Sequence, residues 1–170
     1  DPKGVGLVNY GAPGNYFQRQ LSVWSRQFSN SFTEKIIEME ILKEWLSNNI
    51  PAQILPNRLV HGDWRIDNLI FSKKDFSLQA VLDWELSTLG DPRSDLAMQL
   101  MQWSMPIGKD GRGLSGVNRR RLGIPEDSEY VDLYSKRVGL IKPPELEFAM
   151  AISFFRMAAI LQGVKRRAID

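Results

Sequence analysis

The chain has 170 residues, of which 43% are hydrophobic, so it is long enough for one domain with a proper core and lacks the composition of a disordered protein. Its 22 basic and 20 acidic residues give a formal net charge of +2, which is too balanced for a nucleic-acid binder whose affinity depends on neutralising phosphates. Cysteine is absent, which excludes disulfides, thiol catalysis and cysteine metal sites.

The first residues, 1–14, are rich in glycine, proline and asparagine and show no hydrophobic period, so they are predicted to form a connector without a core of its own. From Asn15 onward, apolar residues recur at three- and four-residue steps, which predicts an amphipathic helix with one buried stripe. The stripe consists of Phe17, Leu21, Trp24 and Phe28.

A second helix is predicted directly after the first. Ser31 and Glu34 have the spacing of a capping box, and Pro51 marks the end of the helix near Asn49. The apolar positions of this helix are Ile37, Ile41, Trp45 and Leu46. We expect the two helices to pack against each other.

Three short runs of strand-forming residues follow, at 59–60, 69–71 and 80–82. The polar residues 72–75 separate the last two runs, which predicts a β-hairpin. A helix is expected next, with Pro92 in its first turn. Its apolar residues at helical spacing are Leu96, Leu100 and Trp103.

Residues 106–125 hold five of the thirteen glycines and two prolines, which predicts a long surface loop. Two helices then close the chain, around 130–138 and 144–167, and the second is apolar on nearly all sides, as in the centre of a core. No uninterrupted apolar segment approaches the roughly 18 residues of a membrane span. The chain is therefore predicted to be mainly α with a small β-hairpin, in the α+β class.

Residues 61–71, HGDWRIDNLIF, place the only histidine, two aspartates and an asparagine in one predicted turn before a strand. Asp63 and Asn68 have the D-x-x-x-x-N spacing of a phosphoryl-transfer loop, in which the aspartate takes a proton from the attacking hydroxyl and the asparagine holds a metal ion. Asp83 ends the second strand of the hairpin. Because Asn68 and Asp83 offer oxygen ligands, the metal that suits them is Mg²⁺.

Two further side chains of this turn have open roles. His61 is expected to form structural hydrogen bonds rather than to act as a base or metal ligand. Arg65 is either a catalytic residue that balances charge on the transferred phosphoryl group or a surface cation. Taken singly, the polar residues of the turn also fit simple turn-forming or capping roles.

A metal-dependent hydrolase that uses His61, Asp63, Asp83 and Asp91 is a further alternative. A single histidine leaves few ligands for the usual dinuclear site, which disfavours this class of enzyme. Three aromatic residues are candidates either for an acceptor site, together with the 106–125 loop, or for the core: Trp64, Trp84 and Trp103.

Three segments, HGDWRIDN, VLDWE and GDPRSDLA, together resemble in order and spacing the aminoglycoside phosphotransferase and choline kinase-like family. The resemblance implies the C-terminal lobe of a protein-kinase-like fold, with ATP as co-substrate and Mg²⁺ as cofactor. It implies that Asp63 is the catalytic base and that Asn68 and Asp83 bind the metal and the cofactor. It also implies structural roles for His61, Asp91 and Asp95, the last two holding the helix that follows the metal site.

The details of these segments, and YGAPGNYFQRQLSVW near the start, are most similar to the kinase-like domain fused to acyl-CoA dehydrogenases in the acyl-CoA dehydrogenase member 10 and 11 group. The likeness implies a small-molecule acceptor, the hydroxyl of a hydroxyacyl-CoA, and a fused acyl-CoA dehydrogenase domain as partner. It also implies an intracellular location, cytoplasmic in a bacterium and mitochondrial or peroxisomal in an animal fusion protein.

Members of this family carry a strand-rich N-terminal lobe with a phosphate-binding lysine, and no such lobe precedes the turn in this sequence. We therefore expect residues 1–14 to be a connector from a missing N-terminal lobe and residues 15–170 to be the catalytic and substrate lobe. Such a segment is expected to have little activity without its nucleotide lobe. The alternative is a non-catalytic pseudokinase or interaction module of a larger acyl-CoA dehydrogenase-type protein.

Overall fold

The computed structural model describes residues 1–12, 14–53, 55–108 and 113–169. These ranges contain five α-helices and four short strands: α1 Tyr16–Asn30, α2 Ile37–Asn48, β1 Arg58–Val60, β2 Leu69–Phe71, β3 Leu78–Val81, β4 Thr88–Gly90, α3 Arg93–Ser104, α4 Asp127–Val138 and α5 Glu147–Ile169. Single 3-10 turns lie at Ile66–Asn68, Trp84–Leu86 and Arg119–Leu122. The mainly helical α+β class predicted from the sequence is confirmed.

Helix α1 begins where the sequence predicts, because the Asn15 side chain accepts a hydrogen bond from the backbone N–H of Gln18 at 3.2 Å. Its predicted stripe faces the main core, with Phe17 and Leu21 buried and Trp24 and Phe28 packed at the edge. This core is built where α1, α2 and α3 pack against α5.

The predicted start and buried face of α2 are wrong. Ser31 ends α1 instead, where its backbone N–H donates to Gln27, and Ile36 precedes α2 without a side-chain cap. Glu34 pairs with Lys165 of α5 instead of forming a capping box. Among the predicted apolar positions, Leu46 is fully buried, whereas three remain exposed: Ile37, Ile41 and Trp45.

A second stripe, at positions i, i+3 and i+7, forms the buried face of α2. It consists of Met39, Leu42 and Leu46, all in the main core. Both stripes fit the helical period, so packing against α5 rather than periodicity alone selects the buried face.

Helix α5 has 23 residues and contains an 18-residue window with a mean hydropathy of 1.3, so by length and composition alone it would suit a membrane-spanning helix. The core helix of a folded domain meets the same criterion, and α5 packs against α1, α2 and α3. Phe148, Ile152 and Phe155 are buried, but Phe154 and Leu161 are exposed. The prediction of an all-round buried helix is therefore wrong for one side of α5.

Two small antiparallel sheets frame the turn singled out in the sequence. The predicted hairpin is confirmed as β2 paired with β3, with Leu69 opposite Val81. Strand β1 pairs with β4, with Val60 opposite Thr88, and the sequence did not predict β4. Since β1 ends at residue 60 and β2 begins at residue 69, the turn between them lies at the junction of both sheets.

The predicted connector packs against β4. A Cβ atom on Gly11 would lie 2.8 Å from the backbone nitrogen of Leu89, so the chain passes close to the strand there. The hydroxyl groups of Tyr10 and Ser87 also form a hydrogen bond of 2.5 Å. Residue 13 of the connector and residues 109–112 of the predicted 106–125 loop lie outside the described residues, as do 54 and 170 of the predicted lobe.

Candidate active site

The turn of residues 61–68 leaves β1 and enters β2 through the 3-10 turn at Ile66–Asn68. Gly62 has a φ of 81°, and a Cβ atom there would lie 2.5 Å from the carbonyl oxygen of Leu86. Only glycine meets both requirements without moving the neighbouring backbone. The glycine of the HGD segment therefore sets the path of the chain into Asp63.

Asp95 of α3 holds the start of this turn. Its carboxylate accepts the backbone N–H of His61 at 2.7 Å and that of Gly62 at 3.0 Å. Burial raises the pKa of the Asp95 carboxyl, and the two amide hydrogen bonds oppose that rise. Asp95 thus fixes the turn to the helix that follows the predicted metal site.

His61 is buried and both of its ring nitrogens are used within the protein. Nδ1 accepts the backbone N–H of Asp63 at 3.2 Å, so Nε2 carries the proton and donates to the carbonyl of Leu82 at 2.8 Å. The Trp64 and Trp84 rings pack beside it, with centroids at 5.8 and 4.7 Å. Both ring nitrogens of His61 are thereby engaged in holding the backbone of the turn and the end of the hairpin.

Asp63 and Asn68 meet directly. The amide nitrogen of Asn68 donates to the backbone carbonyl of Asp63 at 2.9 Å and lies 3.2 Å from its carboxylate oxygen Oδ2. Asn68 is buried, whereas the Asp63 side chain is 21% exposed. The amide oxygen of Asn68 accepts no hydrogen bond from the described residues, which leaves it free for a ligand.

Asp83 lies next to Asn68 across the hairpin. The backbone N–H of Leu82 donates to the carbonyl of Asn68 at 2.8 Å, one residue before Asp83. Asp83 has a φ of 64° and a ψ of 57°, its side chain is exposed, and its carboxylate has no hydrogen-bond or ion-pair partner among the described residues. Asp83 thus follows the residue that pairs with Asn68, and both side chains carry oxygen atoms of the kind that hard cations prefer.

These two residues fit Mg²⁺ better than a fully protein-bound metal. No group of three or more His, Cys, Asp or Glu side chains suited to a metal occurs within the described ranges. Mg²⁺ is usually bound through one or two protein ligands and keeps water and phosphate oxygens as the others. Two oxygen-bearing side chains, Asn68 and Asp83, are in keeping with this way of binding Mg²⁺ and are too few for a dinuclear hydrolase.

The metal-dependent hydrolase alternative requires Asp91, but the carboxylate of this residue is bound to Arg93. Its carboxylate is buried and bonded twice to the Arg93 guanidinium, at 2.7 and 2.9 Å. It also accepts the backbone N–H of Arg93 at 2.9 Å, at the start of α3. Asp91 therefore holds this helix, as the family resemblance implies, and is not available to a metal.

Arg65 lies against the predicted base. Its Nε is 3.4 Å from Oδ2 of Asp63 and 3.9 Å from Oδ2 of Asp67. The side chain is 35% exposed, so the ion pairs are partly screened by solvent. Arg65 places a positive charge beside the carboxylate that would receive a proton.

Sequence reasoning missed two residues that bind the backbone of this turn. Arg156 of α5 donates through Nη1 to the carbonyl of Gly62, and Gln102 of α3 donates to the carbonyl of Trp64 at 3.0 Å. They lie 94 and 38 residues away along the chain, beyond the reach of any local motif. The one available signal is a single arginine within the apolar run AMAISFFRMAAIL.

Two cavities adjoin the turn. One, of about 580 Å³, is open to solvent and has Trp64, Tyr130 and Tyr134 among its lining residues. The other, of about 20 Å³, is lined by Tyr16, Gly62, Ser94, Asp95 and Arg156, among others.

The three candidate tryptophans have different surroundings. Trp64 lines the larger cavity, Trp84 packs on His61, and Trp103 packs on Tyr130 with ring centroids 4.8 Å apart. The guanidinium of Arg119 also lies 5.1 Å from the ring centroid of Trp103. Trp103 therefore belongs to the packing of α3 against α4.

The sequence model of the phosphotransferase enzyme family, APH, matches residues 1–127, which include the whole turn, the hairpin and α3. The chain belongs to the phosphotransferase enzyme family. The resemblance drawn from the three sequence segments is thereby confirmed. The match ends before α5, which supplies Arg156 to the turn of this phosphotransferase chain.

Named relatives place this phosphotransferase chain beside acyl-CoA dehydrogenase family members. It is 41% identical to acyl-CoA dehydrogenase family member 10 of Mus musculus over 99% of its length, and 40% identical to member 11 of Rattus norvegicus over 98%. The chain spans only 16% and 22% of those two proteins.

A crystal structure supports the same assignment. It is that of a protein from Ralstonia eutropha JMP134 whose name assigns it to the aminoglycoside phosphotransferases, with 43% identity and a TM-score of 0.92. The alignment covers 100% of the present phosphotransferase chain and 52% of the crystallised one. The fold around the turn is therefore that of part of a kinase-like phosphotransferase.

Proposed function

We propose that this chain is the catalytic and acceptor-binding lobe of an ATP- and Mg²⁺-dependent kinase that phosphorylates a hydroxyl group of a small molecule. The observation that carries the proposal is the assembly of Asp63, Asn68 and Asp83. The Asn68 amide nitrogen is turned toward Asp63, and Leu82, which pairs with Asn68 across the hairpin, directly precedes Asp83 with its unpaired carboxylate. Membership of the phosphotransferase family supports the same reaction class.

In the proposed reaction, Asp63 is the proton acceptor. The oxygen of the acceptor hydroxyl bonds to the γ-phosphorus of ATP, the bond to the leaving ADP oxygen breaks, and the hydroxyl proton passes to the Asp63 carboxylate. The hydrogen bonds from Asn68 orient this carboxylate, and His61 fixes the backbone N–H of the same residue. Asn68 and Asp83 would hold Mg²⁺, which neutralises charge on the phosphates when bound.

Arg65 would act beside this base. Its cation, 3.4 Å from the Asp63 carboxylate, is near enough to interact with a negative phosphoryl group at that carboxylate. Its partial exposure would let the side chain move between the carboxylate and a phosphoryl oxygen.

The acceptor we propose is the hydroxyl of a hydroxyacyl-CoA. Support comes from the relatives named as acyl-CoA dehydrogenase family members, which share about 40% identity with almost the whole chain. By the same argument, residues 15–170 are proposed to act together with an N-terminal nucleotide lobe and an acyl-CoA dehydrogenase domain. An intracellular location follows from that acceptor.

Replacing the proposed base tests the reaction directly. In the full-length protein, Asp63→Ala is expected to lower kcat by about 10²–10⁴-fold, because a general base contributes on this scale. Asp67→Asn is the matched control, since it removes a neighbouring carboxylate that contacts the same arginine. Phosphate transfer from ATP to a hydroxyacyl-CoA is measured for each variant. Wild-type turnover by Asp63→Ala would refute the assignment of the base.

A second function is a non-catalytic pseudokinase or interaction module of a larger acyl-CoA dehydrogenase-type protein, since the chain spans only 16% and 22% of the relatives that carry this name. Thermal unfolding with and without Mg²⁺ and ATP separates the two functions. The kinase predicts a melting temperature raised by Mg²⁺ and ATP, since a ligand bound only by the native state stabilises it, whereas a module without a nucleotide site predicts no change. Only the kinase predicts ADP release in the presence of acceptor.

A further inference from the structure

The turn that precedes Asp63 is held from two sides by side chains of opposite charge. On one side, the Asp95 carboxylate accepts the N–H groups of His61 and Gly62. On the other, the Arg156 guanidinium donates to the carbonyl of Gly62. The backbone polar groups on both sides of Gly62 are thus bound to side chains of α3 and α5.

We infer that Arg156 is a positioning residue for the phosphoryl transfer, acting through the carbonyl of Gly62 to fix the direction in which the Asp63 carboxylate points. This inference rests on the proposed function, since it assumes that Asp63 is the base. Asp63 follows Gly62 directly, so a rotation of the peptide between them would redirect its side chain.

Arg156 also packs against an aromatic ring of α1. Its guanidinium lies 4.8 Å from the ring centroid of Trp24, in cation–π geometry, and the indole N–H of Trp24 donates to Gln20 at 3.0 Å. Helix α1 therefore contacts the same guanidinium that binds the turn. A cation held this way can position a backbone carbonyl more precisely than a mobile surface side chain.

The pKa values of Arg156 and Asp95 influence each other. Burial lowers the pKa of the Arg156 guanidinium, and the nearby Tyr16, Asp63 and Asp95 oppose that change. Burial raises the pKa of Asp95, and the positive charge of Arg156 is among the effects that oppose it. Removing the arginine would leave Asp95 as a buried carboxylate without its nearby cation, as well as an unbound carbonyl at Gly62.

Arg156→Met tests the inference in the full-length protein, because methionine keeps the apolar stem and removes the guanidinium. We expect kcat to fall about 100-fold, the scale of effect of a misplacement of about 1 Å, while KM for ATP changes less than about twofold. The amide protons of His61 and Gly62 should exchange faster, as measured by NMR.

Two variants complete the design. Arg156→Lys keeps the charge and a donor but lacks the planar fork, so we expect it to restore part of kcat and part of the amide protection. Arg167→Met is the matched control, since it removes an exposed arginine from the same helix. It should match wild type in kcat and in amide exchange. If Arg156→Met does not fold, Arg156→Lys is compared with wild type in kcat and in amide exchange instead.

Two outcomes would overturn the inference. One is wild-type amide exchange at His61 and Gly62 in Arg156→Met. The other is a fall in kcat that Arg156→Lys does not relieve and that accompanies an equal loss in the fraction of folded protein. Amide exchange does not depend on turnover, so it tests the arginine even if Asp63→Ala shows the proposed function to be wrong.

Discussion

Asp83 combines a carboxylate that is proposed to bind the metal with a backbone in the left-handed region. A φ of 64° costs a residue with a Cβ atom roughly 1 kcal/mol, and glycine avoids that cost. We therefore expect Asp83→Gly to be more stable than Asp83→Ala by about 1 kcal/mol in urea unfolding, while both lose phosphate transfer. Equal stability of the two variants would mean that the backbone at this position relaxes without strain.

Asp95 makes the free energy of unfolding depend on pH. Because burial raises its pKa in the folded state, the folded protein binds this proton more tightly than the unfolded chain does. The resulting stabilisation is complete below the unfolded pKa and is lost as pH rises through the folded pKa.

Asp95→Asn removes this titration. The free energy of unfolding of the wild type, relative to the variant, should increase as pH falls from neutral toward the ordinary aspartate pKa of 3.8. Urea unfolding over a pH series measures it, with Asp132→Asn on the exposed side of α4 as control. A difference that shrinks as pH falls would show that the two amide hydrogen bonds outweigh burial.

At the scale of the element, α2 has two apolar stripes at helical spacing and buries the one that contains Met39, Leu42 and Leu46. Leu46→Ala should cost about 2–5 kcal/mol of unfolding free energy, because it leaves a cavity in the main core. Ile41→Ala on the exposed face should cost at most about 0.5 kcal/mol. Similar losses for the two substitutions would mean that the helix is rotated relative to this description.

The sequence predicts the elements that are specified by neighbouring residues and misses those that depend on contacts between distant parts of the chain. The hairpin of β2 and β3 follows from adjacent residues, and the turn from Asp63 to Asn68 follows from one short spacing. Strand β4 has three residues, one of them glycine, and pairs with a strand 30 residues earlier, so no local pattern indicates it. The contact from Arg156 to Gly62 is equally non-local, and only the folded chain reveals it.

In the whole molecule, the turn of residues 61–68 lies close to the contact between α1 and α5. Helix α5 contacts α1, α2 and α3, and through Arg156 it also reaches the turn. The family match ends at residue 127, whereas the relatives of about 40% identity align along nearly the entire chain. The part of the fold that carries the family signature is thus supported by a helix outside it.

This arrangement has a consequence for synthesis on the ribosome. Residues 61–95 leave the exit tunnel long before α5, so the nascent turn at first has Asp95 within reach but not Arg156. Helices α1 and α2 both pack against α5, so the main core is incomplete until α5 emerges. The nascent chain would thus expose the apolar faces of its first helices until α5 has emerged, and a chaperone could bind those faces during that interval.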